Sequence, residues 1–302
     1  MKIAVSGASG LVGRSLCRRL LAEGHLVAHL VRRPIDAPPE AGRDIHWEPL
    51  EGRVDSGELA GCDAVIHLAG ENVGAGRWNK KRKDRILESR VRGTETLCRG
   101  LAELQQPPAT LLCASAIGYY GDREDKQLVE TDTPGKGFLA DVCRRWEAAT
   151  SIASTAGIRV VNLRFGVVLS PEGGALERML DPFRWGVGGK IGTGRQYLSW
   201  IGLGEAVDAL HLLLGETSIA GPVNLVNPAV VTNLQFTKAL GRVLGRPTIL
   251  PLPAFAVKLL FGEMGRELLL ASTRVRPVVL EQSGFQFRHA DVEAALRALL
   301  KS

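Results

Sequence analysis

Residues 3–13 read IAVSGASGLVG and decide the fold class of this chain. Three apolar residues lead into glycines at positions 7, 10 and 13, and apolar residues at helical spacing then continue towards Ala22. This order predicts a short buried strand, a tight turn and the start of an amphipathic helix. Such a unit opens a doubly wound α/β sheet with parallel strands.

The glycine turn also predicts an anion site. Gly7 permits the tight turn, Gly10 lets the backbone approach a pyrophosphate, and Gly13 lets the helix pack against the strand. The phosphates would lie at the helix N-terminus, where free N–H groups and the helix dipole attract anions. We therefore predict a cofactor-binding turn made of Gly7, Ser9, Gly10, Leu11, Val12 and Gly13.

The end of the second strand indicates which dinucleotide binds. Residues 25–31 read as a strand, and Arg32 and Arg33 follow it. An NAD site carries Asp or Glu about 20 residues after the glycines, where it binds the ribose 2′-hydroxyl. Guanidinium groups suit a 2′-phosphate instead, so the two arginines predict NADP as the cofactor.

Strand and helix patterns alternate through the first half of the chain. Strands are predicted near residues 3–5, 25–31, 63–69, 110–114 and 159–163, with helices at 11–22, 79–104 and 138–155. The alternation predicts a Rossmann-like doubly wound parallel sheet, followed by a smaller, mainly helical C-terminal lobe. We expect an NADP-binding domain over residues 1–169, to which 203–226 return, and a substrate-binding lobe formed by 170–202 and 227–302.

The composition of the 302 residues excludes several classes of protein. With 45% apolar and 23% charged residues, neither disorder nor a coiled coil is expected.

The five cysteines have no C-x-x-C spacing, and no metal-ligand cluster is recognisable, so no disulfide framework or metal site is predicted. No apolar run approaches the ~18–20 residues of a membrane span, and the N-terminal run is too short for a signal peptide. We expect a reducing compartment, the cytoplasm or an organelle matrix.

The basic excess is concentrated between residues 77 and 92. Eight Lys or Arg side chains face two acidic ones there, and the difference equals the net charge of +6. A nucleic-acid-binding patch is one interpretation. The favoured alternative is a solvated helix face that reaches a phosphate-bearing ligand, because no aromatic platform accompanies the run. We expect a small-molecule substrate and no nucleic-acid or membrane partner, and the sequence carries no signal for an oligomeric state.

Further motifs resemble the extended short-chain dehydrogenase/reductase superfamily. They are HLAG at 67–70, RVRGT at 90–94, SAIGYYG at 115–121, RFGVVL at 164–169 and GPVN at 221–224. The chain is most similar to an atypical branch of the NAD-dependent epimerase/dehydratase superfamily. That branch is often labelled "epimerase family protein" and includes a proposed NADP-dependent oxidoreductase. AGEN at 69–72, WEAA at 146–149 and the glycine-rich run at 182–194 carry this closer resemblance, which covers essentially the whole chain.

The resemblance extends the predicted cofactor site beyond the glycine turn. Leu68, Ala69 and Gly70 close a strand against whose end a nucleotide ribose can lie. Arg90 stands where the family motif has Asn, and its charge would suit a cofactor phosphate or a polar group on the carboxamide side. Val168, in the RFGVVL motif, is included in the same site.

The departures from the family concern its catalytic residues. Family members use a Ser or Thr that steadies the substrate oxygen, and a Tyr-x-x-x-Lys pair. Its tyrosine is the acid/base, and its lysine lowers the tyrosine's pKa and holds the ribose. Here Ala116 occupies the Ser/Thr position, and Leu139 and Cys143 occupy those of tyrosine and lysine. Neither can transfer a proton as the family requires.

Four other residues are candidates for the missing chemistry: Tyr119, Tyr120, Glu71 and Ser115. All lie at predicted strand ends, where open α/β sheets bind ligands. Each tyrosine could instead pack with its hydroxyl satisfied, and Glu71 could be ordinary loop polarity. His67, inside a strand, is expected to be a core residue.

Two functions stay open at this point. One is an NADP(H)-dependent oxidoreductase or epimerase-like enzyme with a non-standard catalytic group. Arg184, Lys190 and Arg195 lie among glycines in its expected substrate-capping region, and such flexible basic loops suit an anionic substrate. The other is a catalytically silent NADPH-binding regulatory or scaffold protein, motivated by the loss of the three catalytic positions.

Overall fold

A computed structural model of the chain describes residues 1–32 and 43–300. Its strands are β1 (Lys2–Ser6), β2 (Leu26–Val31), β3 (Arg43–Glu48), β4 (Arg53–Val54), β5 (Ala64–His67), β6 (Thr110–Ala116), β7 (Gln127–Leu128), β8 (Arg159–Phe165), β9 (Val167–Leu169), β10 (Tyr197–Leu198), β11 (Trp200–Gly202), β12 (Gly221–Leu225), β13 (Val231–Thr232) and β14 (Arg274–Val275). Its α-helices are α1 (Leu11–Ala22), α2 (Ser56–Leu59), α3 (Lys80–Ala102), α4 (Phe138–Ala149), α5 (Ser151–Thr155), α6 (Gly174–Arg184), α7 (Leu203–Gly215), α8 (Asn233–Leu244), α9 (Ala254–Gly265), α10 (Val278–Gln282) and α11 (Val292–Leu300). A 3₁₀ turn follows β6 at Ile117–Tyr120, and a π-helical turn follows α9 at Arg266–Leu270.

An eight-stranded sheet organises the molecule, with the strand order β12-β8-β6-β5-β1-β2-β3-β4. Its strands pair in parallel, and only the short β4 at its edge runs antiparallel to its neighbour. This topology confirms the predicted Rossmann-like doubly wound sheet. Strands β2 and β3 are added on one side of β1, and β5, β6 and β8 on the other, so the strand order reverses at β1. Ligands of such sheets bind beside that point, outside the carboxyl ends of the strands.

Both faces of the sheet are covered, as parallel sheets require. Side chains alternate across β1: Ile3 and Val5 enter the core cluster under α1 and α7, whereas Ala4 enters the one under α3. A third cluster joins α6, α8 and α11. The five cysteines are all buried and free. Among the described residues, no helix is long and apolar enough to cross a bilayer.

Residues 203–225 return to the sheet, because β12 pairs with β8 and α7 packs on the core under α1. The division of the chain into two domains stays a prediction. The sequence missed β3, β4 and α2, which lie between residues 43 and 59. In β3 only Ile45 and Trp47 are buried, and two apolar residues are too few to make the alternation recognisable in the sequence.

Candidate functional site

The three glycines of the first turn differ in what requires them. Gly7 has φ 70°, and a Cβ there would lie 2.8 Å from the backbone nitrogen of Ala69. A Cβ on Gly13 would lie only 2.1 Å from the Gly7 carbonyl oxygen. Gly10 has an ordinary extended backbone, with φ −74° and ψ 170°, and is exposed. The fold therefore requires Gly7 and Gly13, whereas Gly10 leaves an open surface.

That open surface is the N-terminus of α1. The helix has no acidic residue in its first turn, and its N-cap residue, Gly10, has no side chain to cap it. Ser9 is exposed, and Leu11 and Val12 are half-buried. The first N–H groups of a helix have no partner within it, so these are available to an anion. A Cβ on Gly174 would lie 3.6 Å from Leu11 Cδ2 and 3.8 Å from the Val168 carbonyl oxygen, which places Val168 beside the turn.

Of the two arginines after β2, the structure describes Arg32. Arg32 directly follows the strand and is exposed. Arg33 lies outside the described residues, so its place in the site stays a prediction. Arg32 stands at the carboxyl end of β2, the strand beside β1, which is where the sheet would meet the adenosine ribose of a dinucleotide.

The end of β5 is held by Ser6 and His67. Ser6 Oγ accepts hydrogen bonds from the backbone N–H groups of Leu68 and Ala69, at 3.2 and 3.3 Å, and lies 2.6 Å from His67 Nδ1. His67 Nε2 lies 3.1 Å from Thr94 Oγ1. Burial lowers the pKa of His67 to about 4, so the ring stays neutral. His67 is the core residue that the sequence predicts, and it fixes the strand end.

Arg90 reaches this strand end from α3. Its Cζ would lie 3.3 Å from a Cβ on Gly70, and its Nη1 donates to the Glu71 carbonyl oxygen at 2.9 Å. The guanidinium lies over the Trp146 ring, 5.0 Å from the centroid. Burial lowers the pKa of Arg90. The structure thus brings Arg90, Gly70 and Glu71 together at one edge of the sheet.

Helix α4 brings the Tyr-x-x-x-Lys positions to the end of β6. A Cβ on Gly118 would lie 3.2 Å from Leu139 Cβ and 3.8 Å from Cys143 Sγ. Burial raises the pKa of Cys143 to about 12, although the charge of Arg90 opposes the increase. The thiol therefore stays protonated at neutral pH, and no proton-transferring group faces Gly118 from these two positions.

Ser115 and Tyr120 belong to a buried network around Arg164. Arg164 donates through Nε and Nη2 to the two carboxylate oxygens of Glu147, each at 2.8 Å, and through Nη1 to Tyr120 Oη at 2.9 Å. Ser115 Oγ donates to Glu147 at 2.7 Å, and Tyr120 Oη donates to Asn224 Oδ1 at 2.8 Å. Tyr120 is fully buried, and burial raises its pKa to about 12. This geometry argues against the prediction that Ser115 and Tyr120 act on a substrate, because both side chains are buried and already bonded.

Tyr119 and Glu71 remain as candidates for acid/base chemistry. The Tyr119 ring is half-buried and covers the guanidinium of Arg164. The Arg164 Cζ atom lies 3.6 Å from the centroid of that ring. Glu71 keeps 35% of its side chain exposed, and its Oε1 lies 3.6 Å from Arg82 Nη1. Both residues stand at the carboxyl edge of the sheet, after neighbouring strands.

A carboxylate from the C-terminal part of the chain caps α4. Glu267 Oε1 accepts from the Phe138 N–H at 2.9 Å, and its Oε2 accepts from the Leu139 N–H at 2.8 Å. The Phe138 ring also meets Trp78 edge-on and lies under Lys83 Nζ, at 4.5 Å. These contacts could not be predicted from the sequence, because Glu267 lies 129 residues along the chain from Phe138.

The glycine-rich loop at 186–194 packs closely against neighbouring segments. A Cβ on Gly189 would lie 1.8 Å from the Leu250 carbonyl oxygen, and one on Gly188 would lie 2.5 Å from the Phe183 ring. The Ile191 N–H donates to Asn233 Oδ1 at 2.7 Å. These glycines permit close packing, and the flexibility expected of this basic loop stays a prediction.

Members of the basic run bind the protein itself. Arg82 donates to the Asn72 carbonyl oxygen at 2.5 Å, Lys83 to the Glu263 carboxylate at 3.0 Å, and Arg92 to the Leu50 carbonyl oxygen at 2.6 Å. Lys80, Lys81 and Arg85 are exposed on α3. These exposed side chains on α3 are compatible with the favoured interpretation, in which the basic run is a solvated helix face.

Comparison with known proteins identifies the family. Residues 3–225 match the model of the NAD dependent epimerase/dehydratase family, and residues 252–299 match a domain of unknown function, DUF1731. Epimerase family protein Mb2239 of Mycobacterium bovis is 45% identical over 97% of this chain and 96% of its own length. Epimerase family protein YfhF of Bacillus subtilis is 36% identical over 99% of this chain and 98% of its own. The crystal structure of human epimerase family protein SDR39U1 (isoform 2) with NADPH superposes with a TM-score of 0.89, at 32% identity and full coverage of both chains. With the glycine turn, the sheet and the strand ends in place, this chain belongs to the NAD-dependent epimerase/dehydratase family.

Proposed function

We propose that the chain is an NADP(H)-dependent oxidoreductase or epimerase-like enzyme of the extended short-chain dehydrogenase/reductase type, without the usual Ser/Tyr/Lys triad. The observation that carries the proposal is Gly10. It is exposed at the uncapped N-terminus of α1, in a backbone conformation that any residue can adopt. A glycine is needed at this position if a ligand approaches the backbone so closely that a side chain would block it. The NADPH named with the human relative supports the choice of dinucleotide.

Arg32 and Arg33 carry the preference for NADPH. Changing the pair by Arg32→Asp with Arg33→Ile is expected to weaken NADPH binding by about 1.5–3 kcal/mol for each charged hydrogen bond lost, while NADH binding holds or improves. Fluorescence titration of both cofactors measures this. Arg99→Asp, which changes an exposed arginine near the far end of α3, is the matched control. Equal affinity of the unaltered protein for NADPH and NADH would contradict the prediction.

Arg90 is proposed to take over the role of the missing lysine. Its guanidinium lies against Gly70, and its charge opposes the increase that burial causes in the pKa of Cys143, the residue at the lysine position. A fixed positive charge at this strand end can donate to cofactor hydroxyl or carboxamide groups, as a lysine would, but it cannot release a proton. The residue would therefore bind and orient the cofactor, which supplies a hydride when bound, and leave proton transfer to another group.

Tyr119 and Glu71 are the proposed sources of that proton. Tyr119→Phe or Glu71→Gln is expected to lower kcat by about 10²–10⁴-fold without loss of NADPH affinity, because a positioned acid/base contributes on that scale. Steady-state oxidation of NADPH with the best substrate from a panel of carbonyls, imines and sugar nucleotides measures it. Tyr120→Phe is the comparison, and we expect it to act on stability rather than turnover. Full turnover in both test variants would exclude this site.

The second candidate is a catalytically silent NADPH-binding regulatory or scaffold protein. Leu139 and Cys143 favour it, because both face the end of β6 and neither transfers protons there. Tight NADPH binding with no turnover across the whole panel would support this alternative over the enzyme.

We propose a small anionic molecule as the substrate, and neither nucleic acid nor membrane as a partner. The internal bonds of Arg82, Lys83 and Arg92 support a structural use of the basic run. Binding to DNA or RNA whose affinity falls steeply with salt would contradict this. The five free, buried cysteines support a reducing compartment such as the cytoplasm.

A further inference from the structure

One side-chain cluster lies outside the proposed site. Glu23 follows the end of α1, His25 precedes β2, and His211 lies on α7. One ligand atom from each lies within 4.8 Å of the other two, and this is the one group of potential metal ligands found among residues 1–32 and 43–300. No metal-ligand spacing is recognisable in the sequence, because the fold brings His211 on α7 to the other two residues from far along the chain.

The distances fit a tetrahedral ion. Glu23 Oε2 lies 2.8 Å from His211 Nε2 and 4.0 Å from His25 Nε2. Ligand atoms about 2.0–2.1 Å from a tetrahedral zinc are about 3.3 Å apart, between these two values. The exposed fractions of the Glu23, His25 and His211 side chains are 31%, 21% and 40%. Small side-chain rotations can therefore bring the three ligand atoms to the distances that zinc requires, and solvent can reach the site.

Neighbouring groups leave the required atoms free. Arg19 Nε donates to Glu23 Oε1 at 2.8 Å, which turns Oε2 towards the histidines. His25 Nδ1 lies 3.3 Å from the Met1 amine nitrogen, so Nε2 is the free ring nitrogen. Such outer contacts orient metal ligands in known sites. The positive charge of Arg19 is offset by Asp208, whose Oδ1 accepts from Arg19 Nη1 at 2.6 Å.

We propose that Glu23, His25 and His211 form a zinc site that ties the end of α1 and the start of β2 to α7. Two imidazoles and one carboxylate are a ligand set that suits Zn²⁺ better than Mg²⁺ or Ca²⁺, and water completes the coordination. His25 precedes β2, so the site lies at the amino ends of the strands. The glycine turn lies at the carboxyl ends, so the bound zinc stabilises the fold and takes no part in cofactor chemistry.

Calorimetric titration of Zn²⁺ into chelator-treated protein tests the proposal. We expect one ion per chain, a higher Tm with Zn²⁺ than without, and the visible absorption of tetrahedral Co²⁺ when cobalt replaces zinc. His211→Ala and His25→Ala are expected to weaken Zn²⁺ binding by more than about 100-fold, beyond the effect of outer-contact changes. Because His25 and His211 are partly exposed, we expect both substitutions to leave the circular dichroism spectrum unchanged.

The matched control is His46→Ala, which removes an exposed histidine that lies 3.5 Å from Glu48, outside the proposed site. It should bind Zn²⁺ as the unaltered protein does. NADPH affinity should be the same in every variant, so the outcome is independent of the proposed function. Absence of saturable Zn²⁺ binding, or equal binding by His211→Ala and His46→Ala, would overturn the site.

Discussion

Arg164→Leu is expected to lower the free energy of unfolding by about 3–5 kcal/mol, because it leaves the Glu147 carboxylate without its partner inside the protein. Arg164 is 2% exposed and binds both oxygens of that carboxylate. Tyr120 would also lose a donor, and Tyr119 the guanidinium beneath its ring. Denaturant unfolding followed by tryptophan fluorescence measures the loss.

Two comparisons separate the ion pair from general truncation. Arg144→Leu breaks an exposed pair with Asp141 on the same helix, and we expect a change within about 1 kcal/mol. The double variant Glu147→Leu with Arg164→Leu should lower the free energy of unfolding by less than the sum of the two single variants' effects. The reason is that the double variant leaves no unpaired charge in the protein. If Arg164→Leu were as stable as Arg144→Leu, the buried network would have no role in stability.

Gly10→Val is expected to abolish NADPH binding and leave the fold intact. The backbone at Gly10 is extended, so valine can adopt it. Its Cβ would lie 3.2 Å from the Gly7 carbonyl oxygen, a contact that a small shift relieves. The two added methyl groups would occupy the space that a pyrophosphate needs. Cofactor titration and a thermal melt of the same sample measure the two effects.

Gly13→Val is the contrasting variant. Its Cβ would lie 2.1 Å from the Gly7 carbonyl oxygen, so the turn itself must distort. We expect this protein to lose both stability and NADPH binding. A folded Gly10→Val protein that still binds NADPH with unchanged affinity would show that the phosphates bind elsewhere.

The central sheet was predictable because local signals agree with the tertiary structure. The glycine turn ends β1 and opens α1, and helices α3, α4 and α7 lie between the later sheet strands β5, β6, β8 and β12. The small sheets were not predictable. β14 has two residues and pairs with β7 across more than a hundred residues, so packing rather than local sequence creates it.

The site divides in the same way. Gly7, Gly10 and Gly13 could be placed from sequence because their roles depend on backbone geometry within one turn. Tyr119 and Tyr120 could not be told apart, since neighbouring residues of a 3₁₀ turn point in different directions and only Tyr120 enters the core. Nothing in the sequence pairs Arg164 with Glu147, although both lie in recognisable motifs.

Glu267 bears on how this chain could have been assembled. It lies in the segment that matches a separate family model, residues 252–299, yet its carboxylate holds the first N–H groups of the Rossmann helix that carries Leu139 and Cys143. Replacing residues 252–299 would therefore remove the acceptor of those two N–H groups. A tail borrowed from another protein must bring its own acceptor to that helix, so the sheet and its tail are expected to have been inherited as a single unit.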